Sequence, residues 1–201
     1  MEPNIEAEAR AHAEAGRWPD ATTVALRGYG PELVDYLIAI ARSETDGSDA
    51  FAQFSVDLWR GLPGFRWEAS LRTWCYTLAR HALARLQRAP ARRRVVALES
   101  EQLANLAEQI RTRTVTHLRT EVKDRVRELR TRLSPEEQSI LVLRIDRNLP
   151  WRDIARVLAD EGEEVAEVEL VKRSAALRKR FEGIKDRLRA MARAEGIGSR
   201  E

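Results

Sequence analysis

Leu170, Ser174, Leu177, Phe181, Ile184 and Leu188 recur at alternating steps of four and three residues. That period places side chains on one stripe of an α-helix; a strand, which alternates every two residues, would scatter them over both faces. The same period runs through the rest of the chain. Leu33, Leu37, Ile38 and Ile40 make one apolar face, and Phe51, Phe54, Leu58 and Trp59 a second. Trp74, Leu78, Leu83 and Leu86 make a third, and Leu118, Val122, Val126, Leu129 and Leu133 a fourth. No hairpin signal and no internal repeat interrupts them. The expected fold is all-α.

Punctuation divides the helices into two small domains. Residues 1–28 are polar and Ala-rich, and read as a frayed helix or a disordered lead-in. Gly28, Gly30 and Pro31 suit a helix start, and Asp46-Gly47-Ser48 a break. Gly61, Pro63 and Gly64 form a loop. Ser70 can cap the helix from Leu71 to about Arg88, which Pro90 ends. The first domain is therefore expected over 29–90. Residues 91–116, with the exposed Arg92-Arg93-Arg94 and only a weak helical pattern, read as a linker. The second domain spans 117–192, followed by a tail, 193–201. Within it, Ser134-Pro135-Glu136-Glu137 combines an N-cap, proline at the first helical position and acids in the first turn. Pro150 opens a short helix with Ile154, Ala155, Val157 and Leu158 inside, and the acidic stretch around Gly162 reads as a turn before the last helix.

Charge is segregated more than the net value of +3 suggests. Arg60 to Arg94 holds nine arginines and one acid, Glu68. Leu170 to Ala190 holds eight Lys or Arg and two acids, while Asp160 to Glu169 holds six acids and no base. Two basic segments on separate domains point to nucleic acid. The single cysteine, Cys75, allows no disulfide framework and suits a reducing cytoplasm. Met1 to Arg17 lacks the apolar stretch of a signal peptide, and no run is long enough to span a membrane. His12, His81 and His117 lack metal-ligand spacing, and there is no phosphate-binding loop or activated nucleophile pattern. We expect no catalytic residue, cofactor or metal ligand, and no enzyme.

Two constellations carry chemistry. In Phe65-Arg66-Trp67-Glu68-Ala69-Ser70-Leu71-Arg72-Thr73-Trp74-Cys75-Tyr76, aromatics alternate with arginines where a loop enters a helix. Rings can stack on unpaired bases while arginines neutralise phosphates. Trp74 shares a helix face with Leu78 and Ala82 and reads as packing; Trp67, in a Gly/Pro-flanked loop, is open to either a packing or a surface role. From Leu149 to Leu188, a short helix, a turn and a longer basic helix read as helix-turn-helix. Lys172, Arg173, Ala176 and Arg180 are candidates to face the major groove, and Arg178 and Lys179 to reach phosphates.

These residues resemble bacterial RNA polymerase sigma factors of the extracytoplasmic-function type. Phe65 to Trp74, with Leu78-Ala79-Arg80, is similar to the family pattern F-R-G-E-A-S-F-R-T-W followed by I-A-R. Leu133-Ser134-Pro135-Glu136-Glu137 and Leu149-Pro150-Trp151-Arg152-Asp153-Ile154-Ala155 are similar to L-S-P-E-E and L-S-Y-E-E-I-A. The resemblance spans about residues 29–90 and 117–190, in the family's order. It implies that the first domain corresponds to region 2, which binds the clamp helices of the polymerase largest subunit and holds the melted −10 strand. The second corresponds to region 4, which binds the −35 duplex and the polymerase β flap. On this likeness Arg66, Trp67, Arg72, Arg80, His81, Arg85 and Arg88 would serve the −10 strand. Lys172, Arg173, Ala176, Arg178, Lys179 and Arg180 would serve the −35 duplex, and Asp46, Asp49 and Gln53 the polymerase core. Many such proteins are also held by an anti-sigma partner.

The chain departs from the pattern in places. Trp67 stands where the family has Gly, His81 where it has Asn, and Ala84 where it has Asp. Ala52 and Gln53 occupy its Gln and Glu positions. The turn from Ala159 to Glu169 is longer and acidic, so the register of the last helix is open by one residue. Glu161, Glu163 and Glu164 are either a solvated turn or a cover over the basic helix that limits DNA binding. Two alternatives stand beside the resemblance: a helix-turn-helix regulator acting without polymerase, and a helical protein-binding adaptor.

Overall fold

The computed structural model describes residues 4–88, 100–120 and 125–195. Every regular element among them is helical. The chain divides into two compact units, Met1–Arg119 and Thr120–Glu201.

Unit 1 is built from α1 (Ile5–Glu14), α2 (Trp18–Ala41), α3 (Glu44–Gly61), a single 3-10 turn (Leu62–Gly64), α4 (Leu71–Arg88) and α5 (Glu101–Thr120). Its core is aromatic and aliphatic: Tyr36 meets Tyr76 edge-on at 5.3 Å, and Phe51 lies 5.6 Å from Phe54. Leu33, Leu37, Leu58 and Leu71 are buried around them.

Residues 4–28 are not a lead-in. Ala9 and Ala13 of α1 are buried, and α2 runs from Trp18 straight through Pro31, which is not a helix start. The glycines explain the difference. A Cβ on Gly28 would lie 2.5 Å from the Ile5 side chain, and one on Gly30 would lie 3.0 Å from Ile110. These positions are where α1 and α5 approach α2, not punctuation. Ile110, Ala107 and Leu103 are buried, so the latter part of the expected linker is a helix docked on unit 1.

Asp46-Gly47-Ser48 likewise lies inside α3. The chain turns earlier, where Arg42 adopts a left-handed conformation (φ 54°) and the Ser43 hydroxyl accepts from the Asp46 N–H at 3.1 Å. A Cβ on Gly47 would sit 2.8 Å from the Ile38 backbone. Gly47→Ala should therefore force two helix backbones apart. Overpacking of that kind costs about 1–3 kcal/mol and outweighs the gain of up to about 1 kcal/mol in helix propensity. Chemical denaturation should show a lowered midpoint; an unchanged or raised one would refute the close approach.

Unit 2 contains α6 (Arg125–Arg130), α7 (Pro135–Leu141), a π-turn (Val142–Asp146), α8 (Trp151–Val157) and α9 (Glu167–Ala194). The expected helix from Leu118 to Leu133 falls partly outside the described residues: α5 reaches Thr120, α6 spans Arg125–Arg130, and residues 121–124, with the side chains of Leu118, Val122 and Val126, are not among them. So do Pro90, Arg92-Arg93-Arg94 and residues 196–201. Leu133, Ile140, Leu141, Phe181 and Ile184 form the core, with Trp151, Leu158, Leu177 and Leu188 packed against it. Trp151 meets Phe181 edge-on at 5.2 Å.

The start of α7 is a full capping box. The Ser134 hydroxyl accepts from the Glu137 N–H at 3.2 Å, and the Glu137 carboxylate accepts from the Ser134 N–H at 2.9 Å. The Arg187 guanidinium also reaches that carboxylate, at 2.8 Å. The Ser134 N–H, and then Arg187, hold Glu137 below the usual carboxylate range. A carboxylate depressed on folding stabilises in full above its unfolded value, about 4.3, and loses that contribution as pH falls towards its folded value. Glu137→Gln is expected to unfold more easily at neutral pH and to converge with the parent chain in acid. Parallel pH profiles would argue against this role.

Candidate nucleic-acid interfaces

In unit 1 the aromatic loop is held from below and from α1. Phe65 stacks on Trp74 at 4.5 Å and lies 4.9 Å from Trp67. Arg10 of α1 sits over the Trp67 ring, 5.5 Å from its centroid. Trp67 has φ 60°, a left-handed backbone that costs a non-glycine residue roughly 1–2 kcal/mol. It occupies the position where the family pattern carries Gly, so the strained conformation and the pattern agree.

After the loop, the Ser70 hydroxyl accepts from the Thr73 N–H at 3.0 Å, as its position suggests. The Leu71 N–H finds a second cap, the Glu6 carboxylate of α1, at 2.7 Å. The same carboxylate accepts from the Tyr29 hydroxyl at 3.3 Å; burial, then Glu6, pushes that phenol up. Glu6 and Arg10 brace the candidate site, and reading along the sequence missed them. Nothing local to the loop signals them, because α1 is polar and Ala-rich.

The arginines of this segment divide by what they touch. Arg72 donates to both oxygens of Glu32 in α2, at 2.8 and 2.7 Å. Arg85 pairs with Asp57 of α3. Both are cross-helix struts. Arg66 pairs with Glu68 at 3.1 Å on the exposed loop, where such a pair is worth about 0–1 kcal/mol. Arg88 is exposed and donates to the Ala84 carbonyl at 3.3 Å. Arg80 and His81 are half-buried on α4.

Asp46, Asp49 and Gln53 fall on one half-buried stripe of α3. Gln53 donates to Asp57 at 2.8 Å, joining the stripe to Arg85. The Arg111 guanidinium of α5 is held above its ordinary value by Glu108 first, with smaller contributions from Asp49 and Glu44. The helix that follows the first basic segment therefore lies beside the acidic stripe.

In unit 2, α8, a turn and α9 make the helix-turn-helix. Gly162, at φ 81°, takes the sharp point of the acidic turn. Leu170, Ser174, Phe181 and Ile184 are the buried stripe of α9. Arg173, Arg180 and Arg187 lie along one flank, seven residues apart, and each meets carboxylates of its own unit. Arg173 donates to Glu163 at 3.1 and 2.5 Å and to Glu169 at 3.2 Å. Arg180 donates to Glu136 at 2.5 and 3.1 Å, and Arg187 to Glu137. Glu163 also accepts from the Asp160 N–H at 3.1 Å; the Arg173 guanidinium, then that N–H, hold its carboxyl below the usual range. Lys172, Arg178 and Lys179 are exposed and make no ion pair among the described residues, and Ala176 is exposed between them.

No protein-family model and no solved structure matches the chain. It is 26% identical over 133 residues to RNA polymerase sigma factor YlaC of Bacillus subtilis strain 168, covering 66% of this chain and 76% of that one. That likeness is to an RNA polymerase sigma factor, the family that the chain's motifs resemble. An all-helical body in two units is consistent with that likeness, and the helix-turn-helix of unit 2 fits DNA binding. No helix among the described residues is long and apolar enough to cross a membrane.

Proposed function

We propose that the chain is a cytoplasmic sigma factor that binds core RNA polymerase and directs it to promoters through two DNA contacts. The observation that carries this reading is the pairing, in one chain, of a strained aromatic–arginine loop with a helix-turn-helix whose second helix turns exposed cations outward. In this reading α9 docks on the −35 duplex through Lys172, Arg178 and Lys179, with Ala176 letting the backbone come close. Phosphate contacts of this kind make binding salt-dependent.

The loop of unit 1 captures the −10 strand once it melts. Backbone strain at Trp67 is supported by its neighbours, a pattern found where a side chain must be presented rather than packed. Arg66 and Arg88 neutralise the strand's phosphates, with Arg80 and His81 facing it along α4. Arg72 and Arg85 act one step back, holding α4 on α2 and α3. The stripe Asp46, Asp49 and Gln53 meets the polymerase clamp, and unit 2 the β flap. An anti-sigma partner would compete for these same surfaces.

The test is co-elution of the purified chain with core polymerase, followed by transcription from a promoter library. Failure with the cognate core and folded protein would overturn the reading. A helix-turn-helix regulator would instead bind duplex tightly without core. A second measurement addresses the loop. Trp67→Gly relieves the left-handed backbone but removes the ring, so the unfolding midpoint should stay close to that of the parent. Affinity for single-stranded promoter DNA in the polymerase complex should fall by about 1–3 kcal/mol, the worth of one stacked base. Unchanged strand affinity would assign Trp67 to packing.

A further inference from the structure

The outward stripe of α9 is not only basic. Val168 is 69% exposed and Val171 61%, and with Ile145 they are the large apolar side chains most open to solvent among the described residues. Ala175 is also exposed. At 100° per residue, Val168, Lys172, Ala175 and Lys179 lie opposite the buried stripe, and Val171 lies beside them. Val168, Val171 and Ala175 are successive contacts on one surface, unlike the scattered single apolar residues normal on a protein exterior.

Whatever covers this surface must be apolar at its centre and anionic at its edges. Lys172, Arg178 and Lys179 border it and make no ion pair among the described residues, while the acids flanking Val168, Glu167 and Glu169, are taken up by Arg152 and Arg173. The major groove of duplex DNA offers that combination: phosphates along its rims and the C5 methyl of thymine on its floor. The other cation near this end of α9 is already engaged, because Arg173 is held by Glu163 and Glu169. Bidentate guanine reading from that position would require both carboxylates to be displaced.

We propose that Val168 and Val171 read thymine methyl groups in the major groove, making T·A pairs the preferred sequence beneath the first turns of α9. The inference rests on the reading of α9 as the duplex-binding helix and adds the base chemistry it selects. Three residues of helix rise about 4.5 Å against about 3.4 Å per base pair, so the two valines meet neighbouring pairs.

The test removes the methyl from the DNA rather than a residue from the protein. Duplexes are enriched from a randomised pool by the full chain, alone and with core polymerase. Each thymine of the winning duplex is then replaced by deoxyuridine. Burial of one methyl-sized group corresponds to about a fourfold change in affinity, so one or two positions should weaken about fourfold each. The Val168→Ala, Val171→Ala double variant raises helix propensity, so α9 stays formed, and it should bind thymine and uracil duplexes alike. Equal binding of all uracil and thymine duplexes by the parent chain overturns the inference, as does a double variant that keeps the parent's preference. If the valine variant loses core polymerase but not DNA, the surface docks protein and the inference fails. A chain that enriches no duplex under either condition overturns the underlying reading as well; one that enriches duplexes but ignores the methyl overturns the inference alone.

Discussion

Replacing Lys172, Arg178 and Lys179 together by alanine is expected to weaken duplex binding by about a hundredfold at 0.15 M salt while leaving the fold intact. None of the three makes an ion pair among the described residues, so their removal breaks no internal strut. Each phosphate that goes unneutralised lowers the slope of log affinity against log salt by about 0.9, and three such phosphates account for the hundredfold figure. Arg180→Ala is the control. Its guanidinium is bound to Glu136 of α7, an exposed pair worth about 0–1 kcal/mol, so its removal should lower duplex affinity far less than the triple change and cost little stability. Anisotropy titrations at several salt concentrations distinguish the two. A triple variant with an unchanged salt slope, or an Arg180 variant with the larger drop in affinity, would show that the outward stripe is not the phosphate-binding face.

Phe181→Ala should unfold unit 2 and leave unit 1 standing. Phe181 is 6% exposed, lies at the centre of the core with Leu133, Ile140 and Ile184, and supports Trp151 of the first helix of the helix-turn-helix. Truncating a buried Phe to Ala costs about 3–5 kcal/mol, a large part of the total stability of a domain this size, about 5–10 kcal/mol. Thermal unfolding followed by circular dichroism should show an early transition carrying the helical signal of unit 2, with duplex binding abolished. One unshifted transition with duplex binding retained would contradict this account of the core.

What the sequence revealed and what it concealed follow from the range of the interactions. The stripe from Leu170 to Leu188 and the capping box at Ser134 are local patterns, and the structure contains both. Residues 5–27 and 101–115 were harder to read because their buried positions include small or widely spaced residues, Ala9, Ala13, Ala107 and Ile110, which give weak periodic signals. Gly28, Gly30 and Gly47 misled for a related reason. Whether a glycine breaks a helix or admits a neighbour depends on the neighbour, here Ile5, Ile110 and Ile38. The basic segments were legible as composition. Which arginines are committed to the fold was not, since Glu32, Asp57 and Glu136 lie far along the chain from Arg72, Arg85 and Arg180.

The bond from Glu6 to the Leu71 N–H has a practical side. The N-terminal helix caps the helix that follows the aromatic loop, and Arg10 covers Trp67. An affinity tag or reporter fused ahead of Ile5 would sit within two turns of that ring and could distort any strand-capture measurement. The far end of α9 is a safer attachment point: at about 1.5 Å per residue, its last turn lies roughly 35 Å along the helix from Val168. Shortening the chain to begin at α2, a natural choice for crystallisation, would remove the cap and alter the loop such a study would set out to observe.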